Sequence, residues 1–136
     1  MSVLLDSNAL IALCVQGHQF HPAMTAWMAS APLPFATCNI TQGALLRFLL
    51  QQKVASDAAQ AWQLLNTIQS GPNHEFWPEA IHYLTVPTKG IIGHRQVADA
   101  YLAQLARARG AKIATFDGGL FALHSDCALL IPTKIQ

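Results

Sequence analysis

Short apolar runs alternate along this chain with longer stretches whose apolar positions recur at helical spacing. Residues 2–5 (Ser-Val-Leu-Leu) are too few for a helix and end at Asp6-Ser7-Asn8, after which Ala9 to Val15 is apolar throughout. The order strand, cap, buried helix follows. His21-Pro22 opens a second helix to about Ser30, with Ala23, Ala26 and Trp27 on one face and Pro32 and Pro34 as stops. Phe35 to Cys38 reads as a strand and Ile40 to Gln51 as a helix despite Gly43. Ser56-Asp57 caps a further helix carrying Ala58, Trp62, Leu65 and Ile68, expected to form an antiparallel hairpin with the helix before it. After the break at Gly71-Pro72, Glu75 to Trp77 and Ile81 to Val86 are read as short extended pieces, and Thr88 to Gly93 as a loop. Val97, Tyr101, Leu105 and Ala108 define a helix over His94 to Arg109 that Gly110 ends. The strands Lys112 to Phe116 and Ala128 to Ile131 complete the pattern. Helices alternating with brief, almost wholly apolar strands predict an α/β fold, a mostly parallel sheet covered on both faces.

At 136 residues the chain suits one domain, residues 1–136, with no repeat or linker. Only 11% of residues are charged against 52% hydrophobic, so some apolar surface is left over and self-association or a partner is expected. The formal net charge of +1 excludes a nucleic-acid binder that works by bulk electrostatics, so any polyanion must be met by local geometry. Cys14, Cys38 and Cys127 form no CxxC pair and are expected as reduced, buried thiols. No apolar run approaches the ~18 residues of a membrane span, and a cytoplasmic protein is expected.

Of seven carboxylates, Asp6 and Asp117 follow strands, and sites in open α/β sheets form outside the carboxyl ends of strands. The helix starting near His94 must return the chain to the start of the next strand, which puts Asp99, in its first turns, near the same edge. Three clustered carboxylates repel one another, and a cation resolves the repulsion. Oxygen ligands without His or thiolate select hard Mg²⁺ or Mn²⁺. The same residues also have a purely structural reading, with Asp6 capping a helix and Asp99 pairing with Arg95. Other signals are weak. His18 and His21 lack a third metal partner, Gly118-Gly119 lacks the lysine of a phosphate-binding loop, and no GxGxxG is present. His94 is expected to cap its helix, and Trp27 and Trp62 to be core or dimer contacts, with base stacking the other use of the tryptophans.

Four segments together resemble a known family. Leu-Leu-Asp6-Ser7-Asn8-Ala-Leu-Ile, Thr37-Cys38-Asn39-Ile40-Thr41-Gln42 with Leu45-Leu46-Arg47, Gly93-His94-Arg95-Gln96-Val97-Ala98-Asp99-Ala100-Tyr101, and Ala114-Thr115-Phe116-Asp117 stand in the order and spacing of PIN-domain ribonucleases. They look most like VapC-type toxins of bacterial toxin–antitoxin pairs, over Val3 to about Leu123. The resemblance implies a PIN-like three-layer α/β/α fold and Mg²⁺- or Mn²⁺-dependent endoribonuclease activity leaving 5′-phosphate and 3′-hydroxyl ends. It also implies a homodimer, and a small antitoxin whose tail enters the active-site groove and through which operator DNA is bound. By position it makes Asp6, Asp99 and Asp117 the catalytic, metal-holding residues, with Asn8, Thr41, Gln42 and Thr115 in support and Arg47 and Arg95 gripping phosphate or antitoxin. The family often has Glu where this chain has Gln42. That departure supports a rival expectation, a scaffold attenuated in cleavage that mainly binds antitoxin and, with it, operator DNA. A third, an aspartyl nucleophile at Asp6, lacks the usual second Asp of its motif. The dimer interface is expected on the helices between Gln42 and Ile68.

Overall fold

The computed structural model describes residues 2–30 and 34–134. In chain order it contains β1 (Val3–Leu5), α1 (Ser7–Cys14), α2 (His21–Ser30), β2 (Phe35–Thr37), α3 (Asn39–Gln51), α4 (Ala58–Gln69) and β3 (His74–Phe76). Then follow α5 (Val97–Ala108), β4 (Lys112–Thr115), α6 (Gly118–Leu123) and β5 (Ala128–Leu130). The strands form one sheet in the order β3-β2-β1-β4-β5, with every pairing parallel. Pro32, read from the sequence as a stop for α2, lies outside the described residues.

Side-chain alternation along β1 divides the core. Val3 and Leu5 face a cluster built with Leu10, Met24, Leu45, Leu49 and Ala61, whereas Leu4 faces Leu102, Leu105, Ile113 and Leu120. Helices α1 to α4 thus cover one face, and α5 and α6 the other. A strand buried on both faces has no polar side, which is why β1 is apolar throughout. From β1 the chain builds outward through β2 and β3, then crosses back to β4 on the other side of β1. That reversal opens a crevice at the carboxyl ends of β1 and β4.

The structure departs from the sequence reading in four places. Tyr83–Thr85 is a 3₁₀ turn, not an extended piece: Val86 N–H donates to Tyr83 O at 2.9 Å and Thr85 Oγ1 to His82 O at 2.7 Å. Gly118-Gly119 opens the short helix α6, which the glycines concealed. Residues His94–Gln96 form a 3₁₀ turn ahead of α5, and the cap position falls on Gln96 without any side-chain bond, so His94 is not the cap. Trp77, to which the sequence reading assigned no core role, is the buried tryptophan, 1% exposed, while Trp27 packs half-buried against the first cluster and Trp62, 56% exposed, is left for a dimer contact. All three cysteines are free thiols. Cys38 and Cys127 are buried, and Cys14 is half-buried in apolar surroundings that push its thiol up to about 12. Among the described residues no helix is long and apolar enough to cross a membrane.

Candidate active site

Asp6 ends β1 and caps α1: its backbone N–H donates to Ala114 O at 3.1 Å, continuing the ladder to β4, and its Oδ1 accepts from Ala9 N–H at 2.8 Å. Its Oδ2 accepts from the Thr115 hydroxyl on β4. Thr115 Oγ1 in turn accepts from Asp117 N–H at 2.9 Å, so one threonine ties the two strand-end aspartates together. Asp117 Oδ1 caps α6 by accepting from Gly119 N–H at 2.8 Å and Leu120 N–H at 3.2 Å. A capping role therefore coexists with a place in the cluster, and the sequence alternatives for Asp6 were not exclusive.

The carboxylate of Asp99, in the first turn of α5, makes no hydrogen bond or ion pair among the described residues. Arg95 lies near it but does not pair with it. Burial, followed by the charges of Asp6 and Asp117, pushes Asp99 up to about 6 from an ordinary carboxylate value of 3.8. Asp6 is 5% exposed, and burial raises its pKa as well; its hydrogen bonds from Thr115 and Ala9 oppose the rise, and the Asp117 charge adds to it. The three carboxylates thus converge closely enough to feel one another.

This coupling has a definite pH sign. A carboxylate whose folded pKa exceeds its unfolded value binds protons better when folded, so the protein gains stability as pH falls through about 6 toward 4. In chelator, the melting temperature of the parent is expected to rise relative to that of Asp99→Asn between pH 7 and pH 5. Parallel pH profiles for the two proteins would contradict the coupling.

A cavity of about 500 Å³ opens beside Asp99 and Asp117. It is lined further by Arg95, Gln96, Leu120, Leu123 and His124. Gln96, although it stands within the third family-like segment, and His124, outside all four, were not singled out in the sequence. The other candidates sit apart. Asn8 is exposed, and its Oδ1 accepts from His18 Nε2 at 3.1 Å; His18 Nδ1 is taken by Phe20 N–H, and His21 donates to Ala12 O, so neither histidine is a free ligand. Thr41 is not available in support of the site: it is fully buried, and its hydroxyl closes the capping box of α3 with Cys38. Gln42 donates from Nε2 to Thr37 Oγ1 at 2.9 Å and Gln69 Oε1 at 3.2 Å, joining α3 to β2 and α4, and bonds to none of the three aspartates. Arg47 is exposed on α3, with its guanidinium laid over Gly43.

Among the described residues no three His, Cys, Asp or Glu side chains stand close enough to enclose a cation by themselves. What converges is a set of hard oxygen donors, one of them, on Asp99, without a protein partner. This suits Mg²⁺ or Mn²⁺, since Mg²⁺ keeps much of its water shell and is held by one or two carboxylates together with substrate phosphate.

Comparison with known proteins bears on the family and the fold. A PIN domain family model matches residues 3–124. Ribonuclease VapC29 of Mycobacterium tuberculosis is 49% identical over 133 residues, 98% of each chain. Ribonuclease VapC38 of the same species is 37% identical over 88% of each chain. A crystal structure of FitAcB from Neisseria gonorrhoeae shares the fold, with a TM-score of 0.63 and 21% identity over 94% of this chain and 96% of that one. The family model over residues 3–124, the relatives at 49% and 37% identity and the all-parallel five-stranded sheet place the chain in the PIN-domain family, among the VapC proteins.

Proposed function

We propose that the chain is a Mg²⁺- or Mn²⁺-dependent endoribonuclease and the toxin of a toxin–antitoxin pair. The observation that carries the reading is that Asp99 and Asp117 line an open cavity with Asp6 buried behind them, joined to Asp117 through Thr115, and the ribonuclease names of relatives at 49% and 37% identity support it. When bound, the cation neutralises charge on a phosphodiester and acidifies water. Asp99 offers a carboxylate with no competing protein partner, while Thr115 and the Ala9 amide hold Asp6 in one orientation. Arg95, exposed at the rim, contacts substrate phosphate. Water attacks phosphorus in line, leaving 5′-phosphate and 3′-hydroxyl ends. Covalent attack by Asp6 is disfavoured because both of its oxygens are engaged and it is 5% exposed. Incubating the protein with total RNA, with Mn²⁺ or with chelator, and mapping the cut ends tests the reading. Intact RNA in Mn²⁺ would refute it.

Gln42→Glu bears on the attenuated-scaffold alternative. The exchange removes two donor bonds at a buried position, so stability without metal is expected to fall by about 1–3 kcal/mol. Because the side chain is turned toward Thr37 and Gln69, the Mn²⁺-induced rise in melting temperature should match the parent's. A larger rise would place position 42 in the metal site.

The partners follow from the same reading: RNA as substrate, a small antitoxin that carries operator DNA, and a second copy of the chain. Leu50, Val54 and Trp62, exposed on and between α3 and α4, supply apolar side chains for the dimer. Sedimentation at tens of micromolar should show a dimer without any partner, and a monomer would contradict it.

A further inference from the structure

Two hollows lie side by side between α5 and α6. The larger, of about 500 Å³, holds Asp99 and Asp117, and the smaller, of about 210 Å³, is lined by Lys89, Ala100, Gln104 and Arg107. Leu123 and His124, at the end of α6, line both. Whatever keeps that end of α6 in place sets the shape of the crevice beside the carboxylates.

Helix α6 is held unevenly. It is six residues long and opens with two glycines, too short and too poor in helix formers to stand alone. Its first turn is secured by the Asp117 cap and by Leu120 and Phe121, which pack on the second core cluster. Ala122 and Leu123, at its far end, are exposed. In the turn to β5, Cys127 and Ala128 N–H donate to His124 O at 3.0 and 2.8 Å, which fixes the backbone toward β5 and not toward α5.

From the α5 side the end of α6 is held by one arginine. Arg107 donates from Nε to Asp126 Oδ2 at 2.6 Å and from Nη2 to Asp126 Oδ1 at 2.9 Å, and Nη2 also donates to His124 Nδ1 at 2.8 Å. The fork on a carboxylate fixes the plane of the guanidinium, as a lysine could not. A guanidinium only donates, so His124 Nδ1 accepts and the neutral ring carries its proton on Nε2. Burial and the Arg107 charge lower the pKa of His124, which keeps Nδ1 an acceptor. The bond from Arg107 in turn holds the Asp126 carboxyl down at about 2.

The hold extends past His124 through Leu123. Gly90, at φ +84°, brings the loop ahead of α5 so near Leu123 that a Cβ there would lie 2.2 Å from Cδ1. That loop runs on through Arg95 to Asp99. Arg107, His124, Leu123 and Gly90 thus close a ring around the crevice that begins and ends on α5.

We propose that Arg107 is a positioning residue for the substrate: through His124 it holds the end of α6, with the Gly90 loop seated on Leu123, as the wall along which an RNA strand lies beside Asp99 and Asp117. The proposal rests on the ribonuclease reading. Arg107 stands about 12 Å along α5 from Asp99 and bonds to none of the three aspartates. Its effect therefore falls on binding of the strand and not on the chemical step.

Steady-state cleavage of one RNA oligonucleotide in saturating Mn²⁺ tests it. Arg107→Ala should raise KM by about tenfold, the scale of one charge-assisted hydrogen bond lost, and leave kcat within about twofold of the parent. Arg107→Lys should behave alike, since one ammonium cannot fork on Asp126 and reach His124 as well. His124→Ala should raise KM too, and His124→Asn, which puts an acceptor oxygen where Nδ1 stands, should restore it. A tie that only stabilised the fold would lower the melting temperature and leave KM, measured well below it, at the parent value in all four proteins. That result, or a loss confined to kcat, would overturn the proposal.

Amide hydrogen exchange in chelator reads the wall without RNA. Arg107→Ala should speed exchange at His124 N–H, bonded to Leu120 O, and at Ile91 N–H, bonded to Thr88 O in the Gly90 loop, by at least about tenfold, with Phe121 N–H unchanged. An unchanged rate at His124 would overturn the proposal. If the parent cuts no RNA, the ribonuclease reading falls, and the exchange rates still decide whether Arg107 holds the wall.

Discussion

Asp99→Asn and Asp117→Asn proteins are expected to fold like the parent and to cut RNA more slowly by about a thousandfold in saturating Mn²⁺, the scale at which preorganised electrostatic groups act. Asp99 has no protein partner to lose, and at position 117 an asparagine oxygen still caps α6 through Gly119 and Leu120. Asp6→Asn should be equally inactive. An asparagine there keeps the bond from Ala9 N–H through its oxygen and turns its amide toward Thr115, while a buried charge in a repelling cluster disappears. In chelator it is therefore expected to melt at or above the parent temperature. Rates measured on one cleavable RNA, together with melts of the four proteins, check both parts. Activity within a few-fold of the parent in all three variants would sink the carboxylate site.

Trp77→Ala should lower stability by about 3–5 kcal/mol, the cost of removing a buried large aromatic side chain. Trp77 is 1% exposed among Leu4, Ala36, Leu102 and Ile113, its indole N–H donates to Glu75, and the Arg109 guanidinium lies 4.6 Å from its ring centre. It follows the edge strand β3, where its backbone N–H donates to Thr37 O at 2.8 Å, so its loss also loosens the outer half of the sheet. Trp77→Phe keeps most of the apolar volume and should cost less. Denaturant unfolding followed to completion reads the difference, and a loss under about 1 kcal/mol for the alanine protein would show that the edge does not depend on this ring.

The tryptophans mark the limit of pattern reading. Trp62 stands at helical spacing with Ala58, Leu65 and Ile68, a pattern that left core and dimer contact open, and it is 56% exposed because α4 buries a narrow stripe centred on Ala61. Trp77, preceded by a polar edge strand and followed by a proline, carries no periodic signal and is the most deeply placed of the three. Helix α6 was hidden in the same way: two glycines argue against a helix, and the Asp117 cap and Leu120, packed on the second core cluster, outweigh them.

Local signals in the sequence determined the strand–cap–helix order, the parallel sheet and the three aspartates. Each aspartate lies at the end of an apolar run or in the first turns of an amphipathic helix, and in a parallel α/β sheet those positions meet at one edge whatever the details of packing. Tertiary structure alone decided that Thr41 and Gln42 are spent on bonds within the scaffold, that Asn8 is held by His18, and that Gln96 Oε1 and His124 Nε2 are buried without partners. Whether a polar atom is satisfied depends on groups distant in the chain: Arg107 and Asp126 set the proton on His124 across the gap between α5 and β5. No spacing rule along the sequence encodes a hydrogen bond that is missing.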